Sequence, residues 1–169
     1  MERIQNKVEQ SGLVNISLKQ LLHTSDIKVI DIAGWLYEGF ILREDDFKAH
    51  IKTHPWEVLA GRSVVITCSV DAIIPMWAWM LIAAKLTEYK ARPFYCDPPD
   101  LDRTRLLAAI ADLNPEEFRD KRVLINGCQH PAITPAVYIA ITKRLQPVVR
   151  SLMYGEACSN VPVFKRRAG

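Results

Sequence analysis

The sequence predicts an α/β protein: one domain whose mostly parallel sheet carries helices on both faces, in three layers, with antiparallel strands at its N-terminal edge. Three observations lead there. From Gly61 onward, short runs rich in β-formers alternate with segments of helical period, the pattern of strands joined by helical crossovers. The four cysteines, Cys68, Cys96, Cys128 and Cys158, recur at intervals of 28, 32 and 30 residues, about the length of one β-α-β unit. The 169 residues are 49% hydrophobic and 24% charged, an ordinary globular composition that excludes disorder, collagen and coiled coil as the main class.

Taken in order, residues 1–25 are polar, with scattered apolar positions at Val14, Ile16, Leu18, Leu21 and Leu22. They read as an N-terminal arm with a short strand, then a helical turn from Ser17. Lys28–Ile32 and Gly39–Leu42 are rich in β-formers, and Ala33–Glu38 joins them as a hairpin. Glu44, Asp45 and Asp46 open a helix that runs to about His54, since acids suit a helix N-terminus, and Pro55 stops it. Ser63–Thr67 is apolar enough for a strand buried on both faces. Pro75 opens a helix to about Tyr89, and Arg92–Cys96 is the next strand. Asp100–Leu113 is a helix with Leu106, Leu107, Ile110 and Leu113 on one face. Asn114-Pro115-Glu116-Glu117 is a helix start, with an N-cap, a proline and acids. Arg122–Ile125 is a strand, Thr134-Pro135 caps a helix to about Leu145, and Val148–Tyr154 is the last strand. Gly155 onward reads as loop, with a basic tail from about residue 160. No internal repeat in residue identity is visible.

The net charge is +3, and Lys165, Arg166 and Arg167 supply as much by themselves, leaving 19 basic residues against 19 acidic ones. A balanced body argues against a nucleic-acid partner, and the tail reads as a solvated end. The longest apolar run, Ala72–Ala84, is interrupted by Pro75 and is too short to span a bilayer. The polar start carries no secretory signal. These features predict a cytoplasmic protein without a membrane partner, in which thiols stay reduced.

A chain of this length buries about two-thirds of its unfolded surface and needs no disulfide. The cysteines are therefore surplus to folding. Each lies at or just after a strand end, and in a parallel sheet the carboxyl ends share one edge, where ligands bind. Cys68, Cys128 and Cys158 thus form a candidate site assembled from separate loops, with Asp71, Glu156 and His130 as candidates for a fourth metal ligand. Cys96, beside aromatics, reads as core filler. Asp71 is most simply a helix cap, and Trp77 and Trp79 are core or pocket wall. His23, His50 and His54 read as surface residues. Paired CxxC, GxGxxG, GxxxxGK[ST], GxSxG and HExxH are all absent, which removes local zinc fingers, the usual nucleotide sites, hydrolase elbows and zincins.

Three stretches resemble a bacterial family known as domain of unknown function 2480. They are Ile66-Thr67-Cys68-Ser69-Val70-Asp71-Ala72-Ile73-Ile74-Pro75, then Phe118–Val123 with Gly127-Cys128, and Ser151–Ser159. The start, Asn6–Leu13, is also similar. The resemblance implies cysteines at 68, 128 and 158, but neither Cys96 nor His130. Ala157 stands where the family pattern has a proline. The resemblance also implies a link to iron–sulfur cluster assembly machinery as a protein partner.

Three functions remain open. A metal-binding domain would hold zinc or an iron–sulfur cluster through the three thiolates. A thiol enzyme would use Cys68, near a helix N-terminus, as nucleophile, with Cys128 or Cys158 resolving. A protein-interaction module would keep its cysteines unreactive. A homodimer through an edge strand is compatible with all three.

Overall fold

The computed structural model describes residues 12–127 and 129–167; Cys128, residues 1–11 and residues 168–169 lie outside the described residues. The elements in chain order are β1 (Leu13–Ser17), α1 (Leu18–Thr24), β2 (Lys28–Asp31), α2 (Glu44–Thr53), β3 (Ser63–Thr67), α3 (Met76–Glu88), β4 (Arg92–Tyr95), α4 (Leu101–Asp112), β5 (Arg122–Asn126), α5 (Pro135–Leu145), β6 (Ser151–Glu156) and β7 (Ser159–Lys165). Single 3-10 turns stand at Ile32–Trp35, Trp56–Leu59, Pro98–Asp100 and Pro115–Phe118. The fold is α/β with mostly parallel pairing, as predicted, but the strands divide between two sheets and two compact units.

The unit of residues 26–108 holds the sheet β2-β3-β4, parallel throughout. All five residues of β3 are buried, so this central strand is covered on both faces, as its unbroken apolar run requires. Val64 and Ile66 join a core cluster with Phe47 and Ile51 of α2 and Ala78, Ile82 and Leu86 of α3. The α3 residues stand at i, i+4 and i+8, one face of the helix. Each large aliphatic side chain there stabilises the unit by about 2–5 kcal/mol relative to alanine. Glu44, Asp45 and Asp46 occupy the first turn of α2, and the helix stops one residue before Pro55 as His54 takes an extended backbone. Trp56 is buried and its indole N–H donates to the Ile51 carbonyl at 2.7 Å.

The second unit takes residues up to Ser25 together with those from Ala109 onward. Its sheet order is β1-β5-β6-β7, with β1, β5 and β6 parallel and β7 antiparallel to β6. Val123, Leu124 and Ile125 of β5 are all buried, as are Val137, Ile141 and Leu145 along α5. The Arg144 guanidinium donates twice to the Leu113 carbonyl, at 3.0 and 2.6 Å.

Three local expectations are corrected. The hairpin over residues 28–42 does not form: β2 is followed by a 3-10 turn, Tyr37 and Ile41 make one isolated bridge, and β2 pairs in parallel with β3. The antiparallel edge therefore lies at β6–β7, near the C-terminus, rather than at the N-terminal strands. The stretch read as loop and tail contains β7, and Arg166 is not free in solvent: it donates to the Asp120 carboxylate at 2.8 Å and to the Pro147 carbonyl at 2.9 Å.

Among the described residues, no helix is long and apolar enough to cross a membrane. The edge strand β4 carries Pro93. The amides of Arg92 and Cys96 both donate toward β3, to Arg62 and Ile66. Position 93 alternates with them, so the N–H that proline lacks belongs to the open side of the strand.

Candidate functional site

Parallel pairing sets the carboxyl ends of β2, β3 and β4 along one edge of their sheet, the usual place for ligands in open α/β sheets. Asp31 ends β2, Cys68 follows β3, and Cys96 follows β4. The Asp31 carboxylate accepts from the Ala33 amide and from the Ser69 amide, each at 3.0 Å. One side chain thus caps the 3-10 turn after β2 and fixes the loop after β3. Partial burial pushes this carboxyl up, but hydrogen bonds from Ser69 and Ala33 outweigh it and hold the group below its ordinary value.

Cys68 is half-buried. It packs against the unit's core on one side, and its thiol donates to the Val70 carbonyl at 3.5 Å. Around it opens a pocket of about 550 Å³, formed by residues 68–74 with Met76, Trp79, Tyr95, Asp97 and Pro98. The Tyr95 hydroxyl donates to the Asp97 carboxylate at 2.8 Å. Its ring packs edge-on against Trp79 with centroids 5.0 Å apart. The hydrogen bond to Asp97, then burial, then the nearby negative groups push the Tyr95 phenol up, so it stays protonated and serves as a donor. No lysine or arginine lines this pocket, whereas Asp71 and Asp97 do.

Cys96 is buried. Burial pushes its thiol up, partly offset by hydrogen bonding with Thr104 and Thr67; these surroundings fit a packed core residue. Asp71 is exposed and is not a helix cap: residues 68–75 form no helical turn, and α3 begins at Met76 with Pro75, in extended backbone, as its N-cap. Trp79 is pocket wall. His54 is half-buried rather than a surface residue, and packs on Trp56 with ring centroids 4.3 Å apart.

In the other unit, Glu156 ends β6 and Cys158 lies exposed in the β6–β7 turn. His130 accepts the Ala132 amide on Nδ1 at 3.2 Å, which in a neutral ring leaves the proton on Nε2. Cys128 lies outside the described residues, and Cys68 and Cys158 belong to different units. Among the described residues, no three His, Cys, Asp or Glu side chains converge in a way that could hold a metal ion. Residue-by-residue reading missed Asp31, Tyr95 and Asp97. The strand-end position that marked the cysteines marks these three as well.

Fold and edge together define an α/β protein with an accessible thiol in a pocket at the carboxyl edge of a parallel sheet. The chain belongs to the family described as protein of unknown function (DUF2480), whose model matches residues 2–166. No curated protein and no solved structure matches it.

Proposed function

We propose that the protein binds a ligand at the carboxyl edge of the β2-β3-β4 sheet and acts on it through the Cys68 thiol. The observation that supports this reading is the pocket of about 550 Å³ with Cys68 in its wall, half-exposed on a loop anchored by Asp31. Thiol chemistry needs access, and the partly exposed Cys68 thiol in the pocket wall has it. With its proton given to Asp97, the Tyr95 hydroxyl oxygen offers the ligand a hydrogen-bond acceptor.

The second reading keeps the three-cysteine metal centre, zinc or iron–sulfur, of Cys68, Cys128 and Cys158 with Asp71, Glu156 or His130. Its support is the strand-end placement of Cys68 and Cys158. That reading would join the protein to iron–sulfur assembly partners. Either activity suits a cytoplasmic protein with reduced thiols.

The test is alkylation of anaerobically purified protein near neutral pH, followed by intact mass, beside its metal content. In a Cys158→Ser background, which removes the other exposed thiol, the pocket reading expects a fast adduct at Cys68, at least about tenfold faster than at buried Cys96 because access governs thiol reactivity, and its loss on adding Cys68→Ser. Stoichiometric zinc or iron that disappears in Cys128→Ser would establish the metal reading instead. Metal-free protein with uniformly slow thiols would overturn both and leave an interaction module.

A further inference from the structure

The two units repeat each other at a constant offset. From β3 to β5, from α3 to α5 and from β4 to β6 the starting residues shift by 59 (63 to 122, 76 to 135, 92 to 151). The 3-10 turns Trp56–Leu59 and Pro115–Phe118 and the ends of α2 and α4, Thr53 and Asp112, keep the same offset. No gap is needed anywhere between.

The agreement reaches single bonds and side chains. Ser63 pairs with Arg92 where Arg122 pairs with Ser151. The Gly61 amide donates to the Tyr89 carbonyl, and the Asp120 amide donates to the Val148 carbonyl. Gly61 and Asp120 both take the left-handed backbone, φ 70° and 57°, an uncommon state for an aspartate. The buried trio Ala78, Ile82 and Leu86 of α3 matches Val137, Ile141 and Leu145 of α5. The edge-on pair Trp79–Tyr95, at 5.0 Å, matches Tyr138–Tyr154, at 5.4 Å.

The first strand breaks chain order. Lys28 of β2 sits opposite Val64, and Val14 of β1 sits opposite Val123, the counterpart of Val64. Ser17 then matches Asp31, and each side chain caps the helical turn that follows its strand. The second unit therefore draws its first strand from upstream of the first unit. Cys68 has Gly127 as counterpart, and a side chain at Gly127 would run into the Tyr138 hydroxyl.

We propose that the chain is one module present twice at an offset of 59 residues, with β1 serving the second copy, and that the strand-end position held by Cys68 is open in the first copy and closed by Tyr138 over Gly127 in the second. Neither clause rests on the proposed function of Cys68. The proposal predicts that Cys68 is dispensable to the fold, since the second copy builds the same crossover with a glycine there.

Two measurements on the full-length chain test it. Backbone dihedrals from NMR chemical shifts should run in parallel for residues 56–67 and 115–126, 76–86 and 135–145, and 92–95 and 151–154, left-handed at both Gly61 and Asp120; an extended Asp120, or a correspondence that slips in any of these segments, overturns the duplication. In the second, residues 68–75 are exchanged for the sequence of residues 127–134, with serine in place of its cysteine, together with Trp79→Tyr. The expected product unfolds cooperatively, with a Tm within about 5 °C of the parent, less than the shift that about 2 kcal/mol gives in a chain of this size. A graft without cooperative unfolding overturns the interchangeability of the copies. Neither readout uses thiol chemistry, so a slow Cys68 would sink the proposed function and leave the duplication standing.

Discussion

Asp31 joins two loops that are 38 residues apart, accepting from the amides of Ala33 and Ser69. Replacing it with alanine removes an N-cap and loosens the loop that carries Cys68. The expected cost is about 1 kcal/mol in urea unfolding at neutral pH, with altered Cys68 alkylation. The sign with pH follows from a carboxyl held below its ordinary value: the contribution is present above the ordinary carboxylate range and is lost as pH falls through the lower folded value. The parent and Asp31→Ala should therefore converge in stability in strong acid. His54 works in the opposite sense to a salt-bridged histidine. Burial against Trp35 and Trp56 pushes its imidazole below the ordinary value. The unfolded chain takes up the proton first, so stability is full above about pH 6.5 and falls as pH drops through that range. His54→Gln should flatten this slope, read from urea midpoints at pH 8 and pH 5.5.

At the scale of elements, the β6–β7 hairpin depends on Gly155. Its φ of 120° belongs to glycine, and an added Cβ would lie 2.7 Å from the Ser159 carbonyl oxygen. Gly155→Ala should cost more than about 1 kcal/mol and raise amide exchange along β7, while β3 keeps its protection. This hairpin was illegible in the sequence because Pro162 interrupts Val161–Phe164, and a proline within a run demotes a strand. The false hairpin at residues 28–42 failed for a complementary reason: its runs had the right composition, but the Asp31 cap committed the chain to a 3-10 turn. By contrast β3, with Val64, Val65 and Ile66 in succession, could be read to the residue, and α2 to within one residue between its acids and Pro55. The cysteine positions at the ends of β3, β4 and β6 were legible from spacing. The contacts that shape the pocket, Asp31 to Ser69 and Tyr95 to Asp97, were not, since the first depends on which strands pair and the second on side-chain direction.

Across the whole molecule, chain order and sheet order disagree. β1 completes a sheet whose other strands begin more than a hundred residues later. Long-range parallel pairing of this kind is costly in loop entropy. Removing residues 1–17 should strip protection from Val123–Ile125 and Leu152–Tyr154, read by hydrogen exchange, with β3 in the residue 26–108 unit affected far less. The proline at position 93 also bears on how many molecules can share a tube. An open strand edge is a template on which a second chain can stack, ladder upon ladder, into a fibre. With no donor on its outer side at position 93, β4 offers an incomplete template, and that single ring is a safeguard of solubility at high concentration. Pro93→Val, which restores the missing N–H and adds β propensity, should leave the fold intact and shorten the time to turbidity on concentrated storage.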